Sequence, residues 1–317
     1  MKINVYFETG HCNWSYVCSF SQIYEKLLEK YPSIEFNQIN SVTMRSHKNY
    51  LGPSQKYGPH FMIIENDENK KYILISYWDK LDDVINKFDV TLWDVNNCVE
   101  IITSSGVHKN DIYYKPLECT YTPFSYTCPT MDNQLLIEEL YKNKTKRIYP
   151  EKLTFRGYLY LFRRFLENDN RFTIYDTQKN YLTPNEYIKE LDSFNLNFSI
   201  NGAGEICYRD MEILGLGTTL FRTKLTTKFH NELIPDYHYV SVDFSDYEIP
   251  IIYSTHPYPG YWEELSERII QRYEQVKDDY EYLKFVAENG RKWYLENGTI
   301  ESNVDIAIKL LDFNKLI

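Results

Sequence analysis

The chain predicts an α/β protein of two domains, and three observations lead there. Short apolar runs of strand character alternate with segments of helical spacing, and they do so in both halves. At 317 residues there is enough chain for two cores of ordinary size. Between the two alternations lies a proline-bearing stretch and a short basic run, Lys142 to Arg147, that ends at Pro150. The expected domains are therefore residues 1–150 and 151–290, with 291–317 as terminal helices. Alternation of this kind builds parallel sheets covered by helices, which bind ligands at the carboxyl ends of their strands.

In the first half, Ile3 to Phe7 reads as a strand and Phe20 to Glu29 as a helix. Phe61 to Glu65 and Tyr72 to Trp78 are apolar strands joined by the polar hairpin turn Asn66 to Lys70. Leu81 to Phe88 is helical in spacing, and Val99 to Thr103 is a strand. Residues 110–132, with Pro116, Pro123 and Pro129, read as an extended connection before a short helix over Gln134 to Lys142. The second half restarts with a strand over Lys152 to Arg156 and a helix over Tyr158 to Asn168. Phe172 to Tyr175 follows as a strand. Pro184 to Leu191 is a helix whose cap is Thr183 and whose first position is Pro184. Leu196 to Ile200, Thr219 to Phe221 and Tyr239 to Val242 complete the strands. Amphipathic helices are expected over Glu263 to Lys277, Tyr280 to Asn289 and Val304 to Leu311.

Composition narrows the function classes. The net charge is −10, and the short basic run is the only basic cluster, which argues against nucleic acid as a partner. No segment has the length of a membrane span, and the first residues lack the pattern of a signal peptide, so the cytoplasm is expected. The six cysteines form no C-x-x-C pair and no zinc spacing, so no metal site is expected. They suit reduced thiols, although pairing of Cys119 with Cys128 stays open.

The richest stretch runs from Phe198 to Thr218. A strand meets the turn Asn201-Gly202-Ala203-Gly204, and a helix-like segment then carries Glu205, Tyr208, Arg209 and Glu212. Arg209 and Glu212 share a helix face, beside glycines whose backbone can approach a ligand closely. A guanidinium suits a diphosphate and a carboxylate suits ribose hydroxyls, so this pattern fits a sugar nucleotide. An ordinary surface ion pair beside a plain turn would look similar.

Arg156 and Gly157 end a strand at the edge where ligands bind, with Arg156 offering a fork for phosphate oxygens. Asp79 ends the strand Tyr72 to Trp78, a position suited to a general base or to capping the helix at Leu81. His11 is a competing base and Glu65 a third. The loop Glu8-Thr9-Gly10-His11 could line an acceptor site. No cofactor is called for. The chain has no G-x-x-x-x-G-K-[ST], no G-x-S-x-G and no Asp-x-Asp triplet for a metal-bound diphosphate. Charge on a leaving diphosphate then falls to Arg156, Arg209 and helix amides, with Arg163 and Lys224 in reserve. A dehydrogenase or epimerase would need G-x-G-x-x-G after the first strand, which is absent.

Four pieces occur in an order that resembles the protein O-glucosyltransferase and capsule xylosyltransferase family. They are Phe155-Arg156-Gly157, the glycine segment leading to Tyr208-Arg209, Leu233-Ile-Pro235-Asp-Tyr-His238-Tyr239-Val-Ser-Val242, and the helix around Ala287 to Gly290. The resemblance covers roughly residues 152–298. The Arg209-to-Gly217 spacing is also similar to the exostosin pattern, in which the glutamate contacts ribose.

The resemblance implies a GT-B glycosyltransferase of two Rossmann-like domains facing a cleft, with residues 291–317 packing back on the first domain. It implies an inverting, metal-independent transfer of xylose, or next glucose, from a UDP-sugar to a glycan or glycoprotein hydroxyl. Asp79 would be the base. The donor would be held by Arg156, Gly157, Gly202, Gly204, Glu205, Tyr208, Arg209 and Glu212, and the acceptor by Glu8, Gly10 and His11. Trp78 stands where the family has arginine before the catalytic aspartate. A catalytically degenerate nucleotide- or glycan-binding protein of the same fold is the alternative. Compact members from bacteria and large DNA viruses imply the cytoplasm, of the host in the viral case.

Overall fold

The computed structural model describes residues 1–7, 15–40, 61–77, 94–103, 118–125, 131–144, 153–156, 166, 169–175, 182–200, 206–244 and 260–317. They form two sheets flanked by helices, an α/β fold. One compact unit comprises Met1–Met131, Thr227–Glu232 and Thr299–Ile317, and the other comprises Asp132–Thr226 and Leu233–Gly298.

The first unit holds a six-stranded sheet of β1 (Lys2–Phe7), β2 (Glu35–Asn40), β3 (Phe61–Asn66), β4 (Tyr72–Ser76), β5 (Cys98–Thr103) and β6 (Thr120–Pro123). Their order is β2-β1-β3-β4-β5-β6. The parallel sheet expected here is mixed, because β3 runs antiparallel to both neighbours. The turn at 67–71 is too short for a crossover, and a tight turn can join only antiparallel strands. β3 and β4 are buried along their whole length, which explains their continuous apolar runs. Helix α1 (Ser15–Lys30) buries Phe20, Ile23 and Leu27, which recur at helical spacing on one face.

Two strands of this sheet escape the sequence pattern. β2 is a half-exposed edge strand with only Phe36 and Ile39 as apolar residues, so it shows no clean alternation. β6 falls within the stretch read as an extended connection. It closes the other edge and ends at Pro123, an edge position that tolerates a residue without an N–H donor.

The second unit holds α2 (Met131–Asn143, from its second residue), β7 (Leu153–Arg156), β8 (Phe172–Tyr175), α3 (Pro184–Asp192), β9 (Leu196–Ser199), α4 (Tyr208–Gly215), β10 (Thr219–Thr223), β11 (Val240–Val242), α5 (Tyr261–Val276) and α6 (Tyr280–Asn297). Its five strands are all parallel, in the order β11-β10-β9-β7-β8. Leu196, Phe198, Phe221, Val240 and Val242 pack with Tyr261, Leu265, Ile269 and Tyr273 of α5 and with Leu283 and Val286 of α6. Helix α6 continues past the expected stop at Asn289. Gly290 lies inside it because an added Cβ would meet the His238 carbonyl at 2.6 Å. Helix α7 (Ile300–Leu310) belongs to the first unit, where it packs on α1.

Candidate functional site

Numbered from β7, the parallel sheet has the doubly wound order 2-1-3-4-5. Its direction of winding reverses between β7 and β9. In doubly wound sheets such a reversal is the edge at which ligands bind. β7 ends at Arg156, and β9 ends at Ser199 just before the glycine turn. The two motifs singled out in the sequence, 47 residues apart, are therefore brought to adjacent strand ends. Thr154 pairs with Asn197, and Phe155 with Phe198.

Ser199 and Cys207 hold the ends of the glycine loop, with Oγ and Sγ 3.4 Å apart. Helix α4 starts at Tyr208, and Asp210 anchors its first turn. Asp210 Oδ2 accepts the Cys207 N–H at 2.7 Å, while Oδ1 accepts Arg222 Nη1 at 2.9 Å. Both side chains of this ion pair are fully buried. Arg222 Nε also donates to the Thr223 carbonyl at 3.1 Å, so β10 and α4 are tied together at the end nearest the loop.

Arg209 and Glu212 follow one turn apart, as their spacing predicts. Arg209 is half-buried and Glu212 is buried. A third residue, unexpected from the sequence, joins them. Tyr187, in the first turn of α3, hydrogen-bonds with both the guanidinium and the carboxylate. Asn133 of α2 adds a fourth contact, donating Nδ2 to Glu212 Oε1 at 3.5 Å.

The electrostatics follow from this packing. Burial pushes the Glu212 carboxyl up to about 7, against the pull of Arg209 and the hydrogen bonds from Tyr187 and Asn133. Burial also raises the Tyr187 hydroxyl and lifts the Cys207 thiol to about 11. Arg209 stays firmly charged. Burial works against its charge, but Cys207, Tyr187 and Asp210 outweigh it. The cluster therefore offers one fixed cation beside a carboxyl that titrates near neutrality.

Neighbouring helices hold the cluster in place. Thr183 and Glu186 form a reciprocal capping box at the start of α3, as the sequence predicts for Thr183. Arg291 of α6 grips both oxygens of Glu138 on α2 at 2.6 and 2.7 Å and donates to the Gly215 carbonyl at 2.5 Å. One side chain thus fixes α2, which carries Asn133, against the end of α4. Tyr187 and Asn133 lie 25 and 79 residues from Glu212, and neither belongs to a motif that sequence reading could isolate.

Other expected residues fall elsewhere. Glu65 sits at the hairpin, where it accepts from Tyr6 Oη at 3.2 Å and Asn4 Nδ2 at 3.4 Å. That is toward the amino end of β1, opposite the carboxyl ends of β1 at Phe7 and of β4 at Ser76. His238 is a structural acceptor: its Nδ1 receives the Ile234 N–H at 2.8 Å, and burial lowers its pKa to about 4. Lys224 is paired with Asp243 at 2.9 Å. Glu8, Gly10, His11, Asp79, Gly157, Gly202, Gly204 and Glu205, together with the Arg156 side chain and Arg163, lie outside the described residues.

Among the described residues no His, Cys, Asp and Glu cluster is arranged to hold a metal ion, and no helix is long and apolar enough to cross a membrane. No protein-family model matches the chain, and no curated protein matches it.

Proposed function

We propose that the second unit binds a nucleoside diphosphate sugar and that the protein is an inverting glycosyltransferase of the GT-B type. The observation that carries this reading is the switch point between β7 and β9, beside which Arg209, Glu212 and Tyr187 gather on the following helices. The resemblance of residues 152–298 to the O-glucosyltransferase and capsule xylosyltransferase family supplies the reaction class.

In this reading UDP-xylose or UDP-glucose lies along the strand ends, with Gly157, Gly202, Gly204 and Glu205 lining the diphosphate and Tyr208 beside it. Arg209 and Arg156 neutralise the diphosphate as it leaves, and Glu212 holds ribose hydroxyls. Asp79 takes the proton from the acceptor hydroxyl as that oxygen bonds to the anomeric carbon and the bond to the diphosphate breaks. The loop of Glu8, Gly10 and His11 receives the glycan or glycoprotein acceptor. Because no Asp-x-Asp triplet is present, the arginines and helix amides carry the leaving-group charge without a cation.

Isothermal calorimetry with UDP, combined with a UDP-xylose and UDP-glucose turnover assay, tests this reading. Arg209→Ala is expected to weaken UDP about tenfold or more, the scale of one charged hydrogen bond. It should also slow transfer about 10²–10³-fold. Asp79→Asn should keep UDP affinity and lose transfer. Unchanged affinity and turnover in Arg209→Ala would refute the donor site. UDP binding without any transfer would instead favour the degenerate binding protein.

A further inference from the structure

A different chemistry sits in the first unit. Residues along a strand alternate between faces. Cys98 would therefore share a face with Glu100, whose Oε1 meets Thr122 Oγ1 at 2.5 Å. A bulge prevents this. Tyr72 of β4 pairs with Cys98, but Ile73 pairs with Glu100, so β5 carries one extra residue at Val99. Such a bulge re-aims the side chain beside it. Cys98 is turned onto the face of Phe61, Ile63, Tyr72, Leu74 and Ile101, where Cys119 packs at the start of β6.

There the two thiols belong to one packed cluster, with Cys98 Sγ donating to the Glu100 carbonyl at 3.6 Å, and they differ in exposure. Cys98 is buried, and the contact with Cys119 together with burial keeps its proton on. Cys119 is half-exposed, and the neighbouring Cys98 thiol lowers its pKa despite some burial and the nearby Glu100. A half-exposed sulfur beside a buried thiol is the arrangement of an attacking and a resolving cysteine. Thr120 pairs with Glu100, so Cys119 lies on the neighbouring strand within a residue of the level of Cys98, and adjacent strands about 4.8 Å apart bring such residues into the range of a disulfide.

We propose that Cys98 and Cys119 form a redox-active dithiol that a hydroperoxide closes to a disulfide. The Cys119 thiolate attacks one oxygen of hydrogen peroxide, the O–O bond breaks, and hydroxide leaves a sulfenic acid on Cys119. Cys98 sulfur then attacks the Cys119 sulfur, the S–O bond breaks, and the Cys98 proton leaves with the departing hydroxide as water. In sum, two thiols and one hydrogen peroxide give one disulfide and two waters. The bond ties the edge strand β6 to β5, and a thiol reductant reopens it.

The test treats the fully reduced chain with hydrogen peroxide, blocks remaining thiols with iodoacetamide and maps the unreduced digest by mass spectrometry. The expected product is an intramolecular Cys98–Cys119 link, lighter by two hydrogens and reversed by dithiothreitol. Hydrogen exchange over Thr120–Pro123 should slow on oxidation. Cys98→Ser should leave Cys119 trapped as a sulfenic acid that dimedone captures, and Cys119→Ser should leave Cys98 reduced. Because Cys119 is half-exposed, the Cys119→Ser variant tests the assignment even if Cys98→Ser folds poorly. A link from Cys119 to Cys128, a dimer between chains, or both thiols still alkylated after peroxide has oxidised free glutathione would overturn the proposal.

Discussion

The two sheets contain the same kinds of strand but differ at their centres. In the second unit the winding reverses between β7 and β9, which are direct neighbours. In the first unit the parallel strands β1 and β4 lead outward to β2 and to β5 and β6, but antiparallel β3 separates them. Loops leaving β1 and β4 therefore start about 10 Å apart, twice the spacing of adjacent strands. The difference lies in how each sheet treats buried charge. The second sheet buries Asp210 with Arg222 and keeps Glu212 beside Arg209 at its switch point. The first also buries two acids, Glu65 and Glu100, but pairs each with a lysine that is over a third exposed, Lys70 and Lys315. Charge retained in an interior at an energetic cost suggests a use for it.

The sharpest way to break this comparison is Arg222→Met. It leaves the Asp210 carboxylate buried without its cation and should cost about 3–5 kcal/mol. Urea unfolding followed by tryptophan fluorescence measures the loss. The matched change in the first unit, Lys315→Met, removes a partly exposed, solvent-screened cation and leaves Glu100 its hydrogen bond from Thr122, so its effect should be smaller. Equal losses would mean that the two units handle charge alike.

The next effect concerns pH and has opposite signs for two groups of the second unit. The Glu212 carboxyl is raised from 4.5 to about 7, so the folded state binds more protons than the unfolded between these values. Its contribution to stability is present at pH 4.5 and is lost as pH rises through 7, amounting to about 3 kcal/mol for a shift of this size. His238 is lowered from 6.5 to about 4, so there the unfolded state binds more protons, and stability grows as pH rises across that window. From pH 4.5 to 6.5 the two slopes cancel. Glu212→Gln should expose the His238 slope, so that stability rises with pH, and should leave the protein about 3 kcal/mol more stable than the parent at pH 8. The same variant should bind UDP less well. A variant with an unchanged pH profile would show that Glu212 ionises freely.

Legibility in the sequence followed the same physical divide. The strands β3 and β4, buried on both faces, open on continuous apolar runs and stand out at once, while β9 shows the alternation of Leu196 and Phe198 with buried Asn197 and Ser199. The edge strands β2 and β6 bury little and look like loops. Thr183 announces its helix through a local hydrogen bond, which sequence spacing encodes directly. Arg209 and Glu212 were legible as a pair because helix geometry fixes residues three apart. Their surroundings were not, because Tyr187 and Asn133 reach Glu212 only through the packing of α3 and α2 on α4. The antiparallel pairing of β3 with β4 was readable as a hairpin from its short polar turn, but the pairing of β3 with β1, which makes the sheet mixed, was not, because it joins strands far apart in the chain. Cys98 was hidden for a similar reason, since a bulge changes which face a residue occupies without changing the sequence pattern around it.

The smallest expected effect is also the most selective. Thr183 caps α3 through its side-chain oxygen, and Tyr187 sits one turn later on the same helix. Thr183→Ala removes the cap and should lower stability by about 1 kcal/mol, the usual cost of a lost N-cap. Fraying of that first turn loosens the tyrosine that contacts both Arg209 and Glu212. If the cluster binds a nucleotide, UDP affinity should fall while the parent fold persists in circular dichroism, and Thr183→Ser should restore both, because serine offers the same acceptor. If Tyr187 merely fills space, the stability loss will appear alone. A drop in affinity that Thr183→Ser does not rescue would point to the methyl group rather than the cap.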